Sequence, residues 1–438
     1  MASKNHKATD FNDLCETSLL NVMEYLSVEE LCVVKGVCRR LRKMASRTFE
    51  RRYAGAVHFD DLMFNMPEIV RIIKCFGPII NSVTVNGSIA WELNTSILTM
   101  LTQKCSKLKK LKLICYHFDK PEMAIMKTLV QHLETIELLY CTIATKHGVN
   151  YNVFLKVADE LRELVFIGRD QEVDLKFLNK KFSSMQKLTI ISARLTDEEV
   201  LGHFLRKNRS IKHFNYMPNV PLSYGRSWTS SFDNIVPRLT DISIDLNKNI
   251  DYVYLFSSFT QLRRVVISCQ GYSEPIHDVV SQLAKMNTLK VLGLWKFGFR
   301  ELLTLPKVNN IETLELRKIK SLFDLKALSH ELNKQWGHVK NLYLDHTAVR
   351  DANDIEVLVN SVMQVKNLFL CDLRGFFIMP TATKYYLWCS NRMMPLNIFV
   401  DSHYLMQHTV SDPNQTIVFQ PFKDRICQMV NVICADHL

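Results

Sequence analysis

The side chains that most often do chemistry, cysteine and histidine, are numerous in this chain, but their spacing matches no catalytic or metal-binding motif. The sequence has 12 cysteines and 14 histidines, with no Cys-x-x-Cys pair and no His-x-x-x-His beside a glutamate. It also lacks a glycine-rich phosphate loop and a Gly-x-Ser-x-Gly turn. We therefore expect no catalytic residue, no metal and no cofactor, and we interpret the cysteines as small buried side chains in a reducing compartment.

Basic residues are in excess and are densest between residues 35 and 52. The formal net charge is +11, from 55 basic and 44 acidic residues, which is modest for 438 residues. No aromatic residue interrupts the basic run before Phe49, and no zinc-finger, RNA-recognition or helix-turn-helix signature is visible. We interpret the run as a solvated helical face or a surface for an acidic protein, and we expect protein partners in place of nucleic acid.

A short phrase of the form apolar-x-x-apolar-x-apolar recurs through most of the chain. It occurs twelve times at intervals of 22 to 28 residues. Within a phrase, two-residue alternation places the fourth and sixth residues on one face of a strand, as with Ile136 and Leu138 in LETIELLYCTI. The phrases begin at Ile80, Leu108, Leu133, Leu161, Met185, Ile211, Leu239, Leu262, Leu289, Ile311, Val339 and Val365.

The segments between the phrases often carry helical periodicity, so each unit reads as strand, turn, helix and return. In LTDEEVLGHFLRKN, for example, Thr196 and Glu199 form a possible capping box. No unit can bury its apolar face alone, so neighbouring units must stack. We predict an α/β leucine-rich-repeat solenoid: a curved horseshoe with parallel strands on its concave face and helices outside.

Composition agrees with an ordered chain, and we expect a soluble protein of the cytoplasm or the nucleus, or both. No stretch approaches 18 uninterrupted apolar residues, and the N-terminal residues lack the apolar core of a signal peptide. We therefore expect no membrane association. The predicted organisation is a disordered N-terminus at 1–10, a helical module at 11–52, a packed connection at 53–79, about twelve repeats at 80–375, and irregular repeats with a cap at 376–438.

The segment from Leu14 to Ala45 departs from the repeat and predicts three short helices. The first runs over 16–26, Ser27 and Glu30 form a capping box before the second at 29–36, and the third follows over 37–46. About thirty residues bury too little surface to fold alone. This module must therefore pack on the first repeat, or offer its apolar residues to another protein, or do both.

The same segment resembles the F-box, the module that docks substrate receptors onto the Skp-type linker of cullin-RING ubiquitin ligases. Leu14 corresponds to the Leu of its opening Leu-Pro step, and Tyr25 with Leu26 to its aromatic-Leu close. The run 37–40, Val-Cys-Arg-Arg, matches its Val-Cys-basic-basic signature. The sequence departs from the pattern where Cys15 replaces Pro, Thr17 replaces Glu and Leu41 replaces Trp.

The resemblance implies a non-catalytic substrate receptor of an SCF-type ligase, because an F-box followed by leucine-rich repeats is a recurrent arrangement. It implies a Skp-type linker as partner and, through it, a cullin-RING ligase, with an unknown protein substrate on the repeats. The alternative is a repeat scaffold outside any ligase, with a degenerate F-box. The residues expected to bind the linker are Leu14, Leu19, Leu20, Val22, Met23, Leu26, Leu31, Val37, Cys38 and Leu41.

Strand alternation also selects candidate substrate-binding residues. Counting the first apolar residue of a phrase as zero, offsets four and six should point outward on the concave side. Offset six is aliphatic in the first repeats, whereas the later repeats add aromatic and charged side chains, which often anchor interfaces. The candidates are Ile114, Leu139, Ile167, Ile191, Met217, Trp295, Arg317, Tyr343 and Phe369.

Overall fold

The structure is a computed structural model in which the described residues form helices and parallel strands in alternation. It describes residues 14–59, 66–87, 94–143, 149–197, 199–218, 238–246, 252–269, 276–319, 325–336, 338–345, 354, 356–357, 364–371, 396–401 and 417–422. The predicted disorder at 1–10 lies outside these residues. The chain divides into two compact units, Met1–Val165 and Phe166–Leu438, and strand β8 contains the division.

The first unit begins with three helices and continues with strands that alternate with further helices. Its helices are α1 Glu16–Met23, α2 Val28–Val37, α3 Arg39–Tyr53, α4 Met66–Phe76, α5 Asn94–Lys104, α6 Lys120–Leu129 and α7 Asn152–Leu155. Its strands are β1 Ala56–Phe59, β2 Ser82–Asn86, β3 Lys110–Ile114, β4 His117–Phe118, β5 Thr135–Leu139, β6 Thr142–Ile143 and β7 Val149–Asn150, and β8 spans Glu163–Asp174.

The second unit repeats the alternation of strand and helix. Its helices are α8 Glu199–Lys207, α9 Tyr252–Ser257, α10 Ile276–Ala284, α11 Phe299–Leu302 and α12 Leu325–Gln335. Its strands are β9 Lys187–Leu195, β10 His213–Met217, β11 Asp241–Leu246, β12 Arg264–Cys269, β13 Val291–Trp295, β14 Thr313–Arg317, β15 Asn341–Asp345, β16 Asn367–Cys371, β17 Leu396–Asp401 and β18 Ile417–Phe422.

The predicted parallel pairing of the phrases is confirmed within each unit. In the first unit β1, β2, β3 and β5 pair in that order, and in the second unit β9 to β18 pair consecutively, all parallel. The register joins equal offsets of neighbouring phrases, for example Leu113 with Leu138. Parallel strands joined through helices bury their apolar side chains between sheet and helices. Val83, Leu111 and Leu113 are accordingly buried.

Four strands, β3, β5, β13 and β14, end in a recurrent left-handed turn. The residue at offset seven has a positive φ in five phrases of the described chain, between 51° and 61°, although none of the five is glycine. Such a turn lets the main chain leave the strand while its N–H groups bond to the next layer. The Cys115 N–H donates to the Leu139 carbonyl at 2.8 Å. Four of the five, Cys115, Tyr140, Lys296 and Lys318, directly follow a strand, whereas Ser192 lies inside β9.

The N-terminal helices lead directly into the first strand. Helix α3 ends at Ala54 and Gly55, which have positive φ, and β1 follows at once. Glycine suits this position because its φ is 73°, in the left-handed region, and a Cβ would lie 3.0 Å from the Ile79 carbonyl oxygen. Within the segment predicted to connect the module to the first repeat, Phe59 is buried, whereas Phe64 lies outside the described residues.

Some helix bounds differ from those predicted. Helix α1 ends at Met23, before 26, because the Tyr25 and Leu26 N–H groups bond three residues back in a tight turn. Helix α3 runs past 46 to Tyr53. After residue 376, the two expected further strands occur as β17 and β18, while 372–395, 402–416 and 423–438, which include the expected cap, lie outside the described residues.

Candidate partner-binding surfaces

Helix caps define the three N-terminal helices. The predicted capping box is confirmed: the Glu30 N–H donates to Ser27 Oγ at 3.2 Å, and the Ser27 N–H donates to Glu30 Oε2 at 2.7 Å. Cys15, which stands where the family has proline, caps α1 by accepting from the Ser18 N–H at 3.4 Å. The helix entry is therefore fixed by a thiol cap in place of a proline ring.

Much of the basic run is used to hold this helical module together. Arginines of α3 reach back to the α1 segment, where they pair with carboxylates or bond to carbonyl groups. These pairs are Arg47 with Glu16 at 2.9 Å, Arg51 with Glu24, Arg40 with the Leu14 carbonyl and Arg52 with the Leu26 carbonyl. Because these guanidinium groups already have partners inside the module, the run offers fewer basic groups to another molecule than its charge suggests.

The module presents an unusual concentration of exposed apolar side chains. Among the described residues, six large apolar side chains are exposed, and four of them lie between residues 22 and 37. Val22 is 55% exposed, Tyr25 90%, Val33 60% and Val37 67%. Val33 and Val37 are one helical turn apart on α2, so they share a face of that helix. Exposed apolar groups concentrated in this way mark an interaction surface.

The residues expected to bind the linker fall into three groups. Val22, Val37 and Cys38 are exposed, and Leu14, Leu20 and Leu26 are partly buried. The rest are buried inside the chain: Leu19, Met23, Leu31 and Leu41. The buried group can support the surface without forming it. Val33 was not among the expected residues, because the helical pattern alone did not separate it from its buried neighbours.

The module packs against α4, the first helix after β1. The ring of Phe49 on α3 stacks on Phe76 of α4 with centroids 4.2 Å apart and planes at 5°, and both rings are buried. From α2, the Lys35 ammonium donates to the Cys75 carbonyl at 2.5 Å and lies 4.5 Å from the Phe76 ring centroid. Helices α2 and α3 of the module thus both contact the C-terminal end of α4.

The side chains at offsets two, four and six form the other face of the strands, which we name the even face. The outward exposure that we expected on it is wrong for Leu139, Ile167 and Met217, which are buried, whereas Ile114 and Ile191 are partly exposed. Met217, Val266 and Trp295 form a buried apolar cluster against which Ile191 packs. Close lateral packing of neighbouring parallel strands covers these side chains more than strand alternation alone implies.

In the second unit the even face carries a polar and aromatic row in register. Asp245 pairs with Ser268, Ser268 with Trp295, and Trp295 with Arg317 on successive strands. The Arg317 guanidinium lies 5.3 Å from the Trp295 ring centroid and 5.8 Å from that of Tyr343. Trp295 and Arg317 are also buried, so the exposure expected for these two candidates is likewise wrong. The guanidinium is thus packed between two aromatic rings at 1% exposure.

Pairs of ionisable side chains occupy the neighbouring positions of the even face. His213 Nδ1 lies 2.9 Å from Asp241 Oδ2, and an Arg264 nitrogen lies 3.3 Å from Glu315. Burial raises the pKa of Asp241, but hydrogen bonds from His213 and Thr240 outweigh it and hold that pKa below its usual value. This part of the face thus carries ionisable side chains that are paired with one another across the strands.

The Arg264–Glu315 pair spans the strand that carries Gly293. A Cβ on Gly293 would lie 2.8 Å from Val266 Cγ2, so only glycine fits beside that valine. Because Gly293 has no side chain, Arg264 can extend across β13 at this position and reach Glu315.

A stack of three aromatic rings forms the last described part of the even face. Tyr343 stacks on Phe369 with centroids 4.1 Å apart, and Phe369 on Phe399 at 4.5 Å, with interplanar angles of 6° and 9°. All three side chains are partly exposed. Of the substrate-binding candidates, Ile114, Ile191, Tyr343 and Phe369 are therefore accessible.

Across the described ranges, no group of three or more His, Cys, Asp or Glu side chains could hold a metal ion. In the same ranges no helix is both long enough and apolar enough to cross a membrane.

Comparison with known proteins identifies the N-terminal module. Residues 11–49 match the family model of the F-box domain, so the chain carries an F-box domain at this position. No curated protein matches the chain. Among solved structures, one similar chain belongs to the crystal structure of the Rad7 and Elc1 complex in yeast. It is 12% identical, with 92% of each chain covered and a TM-score of 0.37.

Proposed function

We propose that this protein is a substrate-recognition subunit of an SCF-type ubiquitin ligase. Its F-box binds a Skp-type linker protein, and its repeats hold a protein substrate. The observation that carries the proposal is the coincidence of the F-box match at residues 11–49 with the four exposed apolar side chains between 22 and 37. The protein itself then performs no bond-making step.

The linker surface that we propose consists of exposed F-box side chains. Val22, Tyr25, Val33 and Val37 lose water-exposed apolar area when the linker covers them, which is the main source of affinity in such contacts. The buried Leu19, Met23, Leu31 and Leu41 hold α1, α2 and α3 in the arrangement that presents them. Cys38 caps α3 by accepting from the Leu41 N–H at 3.4 Å and lies beside Val37.

The repeats supply the substrate surface in this proposal. We infer a leucine-rich-repeat solenoid from the phrase spacing, the parallel register and the recurrent turn at offset seven. The proposed contacts are the accessible candidates of its even face, which are Ile114 in the first unit and Ile191, Tyr343 and Phe369 in the second. Holding a substrate on the same chain as the F-box raises its effective concentration at the ligase.

Co-purification with a Skp-type linker protein tests the proposal. We expect the full-length chain to bind the linker and the double variant V33D/V37D to lose affinity by roughly 100-fold or more, because two carboxylates would be buried without partners. Both valines are more than half exposed, so the variant should keep the wild-type circular dichroism and Tm.

The matched control is V153D, an equally drastic change at a valine that is 40% exposed on α7. It should bind the linker as the wild type does. If the wild type fails to bind, the SCF assignment is wrong and the repeat scaffold with a degenerate F-box takes its place. If V33D/V37D binds normally, the linker uses another face of the module.

A further inference from the structure

Two buried polar side chains on neighbouring strands of the second unit have no hydrogen-bond partner within the described part of the chain. They are Ser268 on β12 and Trp295 on β13, and the atoms concerned are Ser268 Oγ and Trp295 Nε1. Buried polar groups in native proteins nearly always have a partner, because an unmade hydrogen bond leaves the cost of removing the group from water uncompensated. Two such groups side by side therefore indicate a partner from outside the chain.

The two groups lie next to each other on the even face. Ser268 and Trp295 are register partners in the parallel pair of β12 and β13, both at offset six. Strands in a sheet are about 4.8 Å apart, so one small group can contact both side chains. The Trp295 ring is held in place by its packing on Met217 and Val266. An indole N–H only donates, whereas a hydroxyl can donate or accept, so the ligand must present at least one acceptor.

The ionisable side chains along the same row limit the charge of that ligand. Asp245 pairs in register with Ser268, and Arg317 pairs with Trp295, whose ring centroid lies 5.3 Å from the guanidinium. Asp345 is at offset six of the next strand, β15, and is also buried. Two carboxyl groups and one guanidinium offer no excess of positive charge that would attract an anion. A neutral group with a dipole along the row fits better, with its donor towards Asp245 and its acceptor towards Arg317.

We propose that Ser268 and Trp295 form a binding site for an amide group. The amide C=O accepts from Trp295 Nε1–H, and the amide N–H donates to Ser268 Oγ. That the amide belongs to a protein substrate, as a peptide bond or as an asparagine or glutamine side chain, rests on the proposed function; the site itself does not. Both atoms are buried, so the side chains that cover them must move apart before a ligand can enter.

Nuclear magnetic resonance of the full-length protein tests the site directly. The chain has five tryptophans, and the indole N–H resonance that is missing in W295F identifies Trp295 in protein labelled with 15N-tryptophan. Three probes of similar size are titrated: acetamide for a side-chain amide, N-methylacetamide for a peptide bond, and acetate as the charged counterpart. We expect a saturable shift of the Trp295 resonance with at least one of the two amides and a clearly smaller shift with acetate.

The variant S268A removes one of the two contacts while keeping the tryptophan that reports binding. It should weaken the binding of the amide probe roughly fivefold, which corresponds to the loss of one neutral hydrogen bond. Its Tm should equal or exceed that of the wild type, because the hydroxyl has no hydrogen bond to lose within the described residues. Circular dichroism checks that the variant is folded.

The matched control is S192A. The Ser192 hydroxyl is also buried without a hydrogen-bond partner among the described residues, but it lies on β9, three strands away from Ser268. This variant should leave the titration unchanged.

Three results would each overturn the amide site. They are no shift of the Trp295 resonance with either amide, a shift with acetate that is equal or larger, and wild-type affinity for the amide probe in S268A. A response to N-methylacetamide assigns the ligand to a peptide bond, and a response to acetamide alone assigns it to a side chain. The titrations contain no linker protein, so a chain that fails to bind the linker but passes them loses only the ligase assignment.

Discussion

The most demanding test of the junction between the F-box and α4 is the truncation of Phe49 to alanine. The ring is fully buried and lies parallel to Phe76 at 4.2 Å, so nearly all of its surface is covered. Burying a phenylalanine side chain contributes about 1.5–3 kcal/mol, and the cavity left by truncation adds to that loss. We expect F49A to lower the free energy of unfolding by about 3–5 kcal/mol.

F49A should destabilise the helices on both sides of the junction. A change of about 4 kcal/mol raises the ratio of unfolded to folded molecules roughly 1000-fold. Because α3 and α4 share this contact, amide exchange in α4, residues 66–76, should accelerate together with exchange in α2 and α3. Urea unfolding followed by circular dichroism measures the first effect, and hydrogen exchange with mass spectrometry measures the second.

Tyr53 provides the comparison on the same helix. Its ring lies 5.1 Å from that of Phe49 but is only partly buried, so Y53A should cost clearly less than F49A. A loss below about 1 kcal/mol for F49A would refute the reasoning, since no well-packed buried ring is removed so cheaply. Unchanged exchange in α4 would mean that the module opens independently of the repeats.

Two further predictions concern the even face of the second unit. G293A should lower the free energy of unfolding by about 1–3 kcal/mol, because its Cβ would lie 2.8 Å from Val266. The double variant V266A/G293A should restore part of the urea midpoint that G293A loses. A G293A variant with the wild-type free energy of unfolding would contradict the contact described between Gly293 and Val266. The pKa of Asp241 is held below its usual value by His213 and Thr240, so the stability that it contributes is present above the pKa of the unfolded chain and is lost as the pH falls through the folded-state pKa. Urea midpoints measured from pH 5 to pH 2 should therefore fall more for the wild type than for D241N, and equal slopes would exclude this role.

Local sequence patterns were sufficient to predict the strands and the F-box helices. Alternation within the phrase predicts the buried Leu113 and Leu138, because the alternation reports burial directly. The capping box at Ser27 and Glu30 could also be predicted, since its two hydrogen bonds join residues that are three apart in the sequence. These features depend on neighbours in the sequence alone.

Features that depend on packing between distant segments could not be predicted in this way. Offset six was expected to be exposed, yet Leu139 and Arg317 are buried, because their cover comes from side chains on other strands. The contact of Lys35 with the Cys75 carbonyl depends on how α2 packs on α4, which no spacing motif records. Val33 likewise became a candidate only when the buried side of α2 was known.

The non-glycine residues in the left-handed turns at offset seven lower the stability of the protein. A non-glycine residue in this conformation costs roughly 1–2 kcal/mol, a cost that glycine largely avoids and asparagine reduces. Lysine holds two of these positions, Lys296 and Lys318, and both side chains are only partly buried. Lineages of this fold that adapt to heat could therefore gain stability at the ends of their strands, through single substitutions that leave the core and the partner-binding faces unchanged.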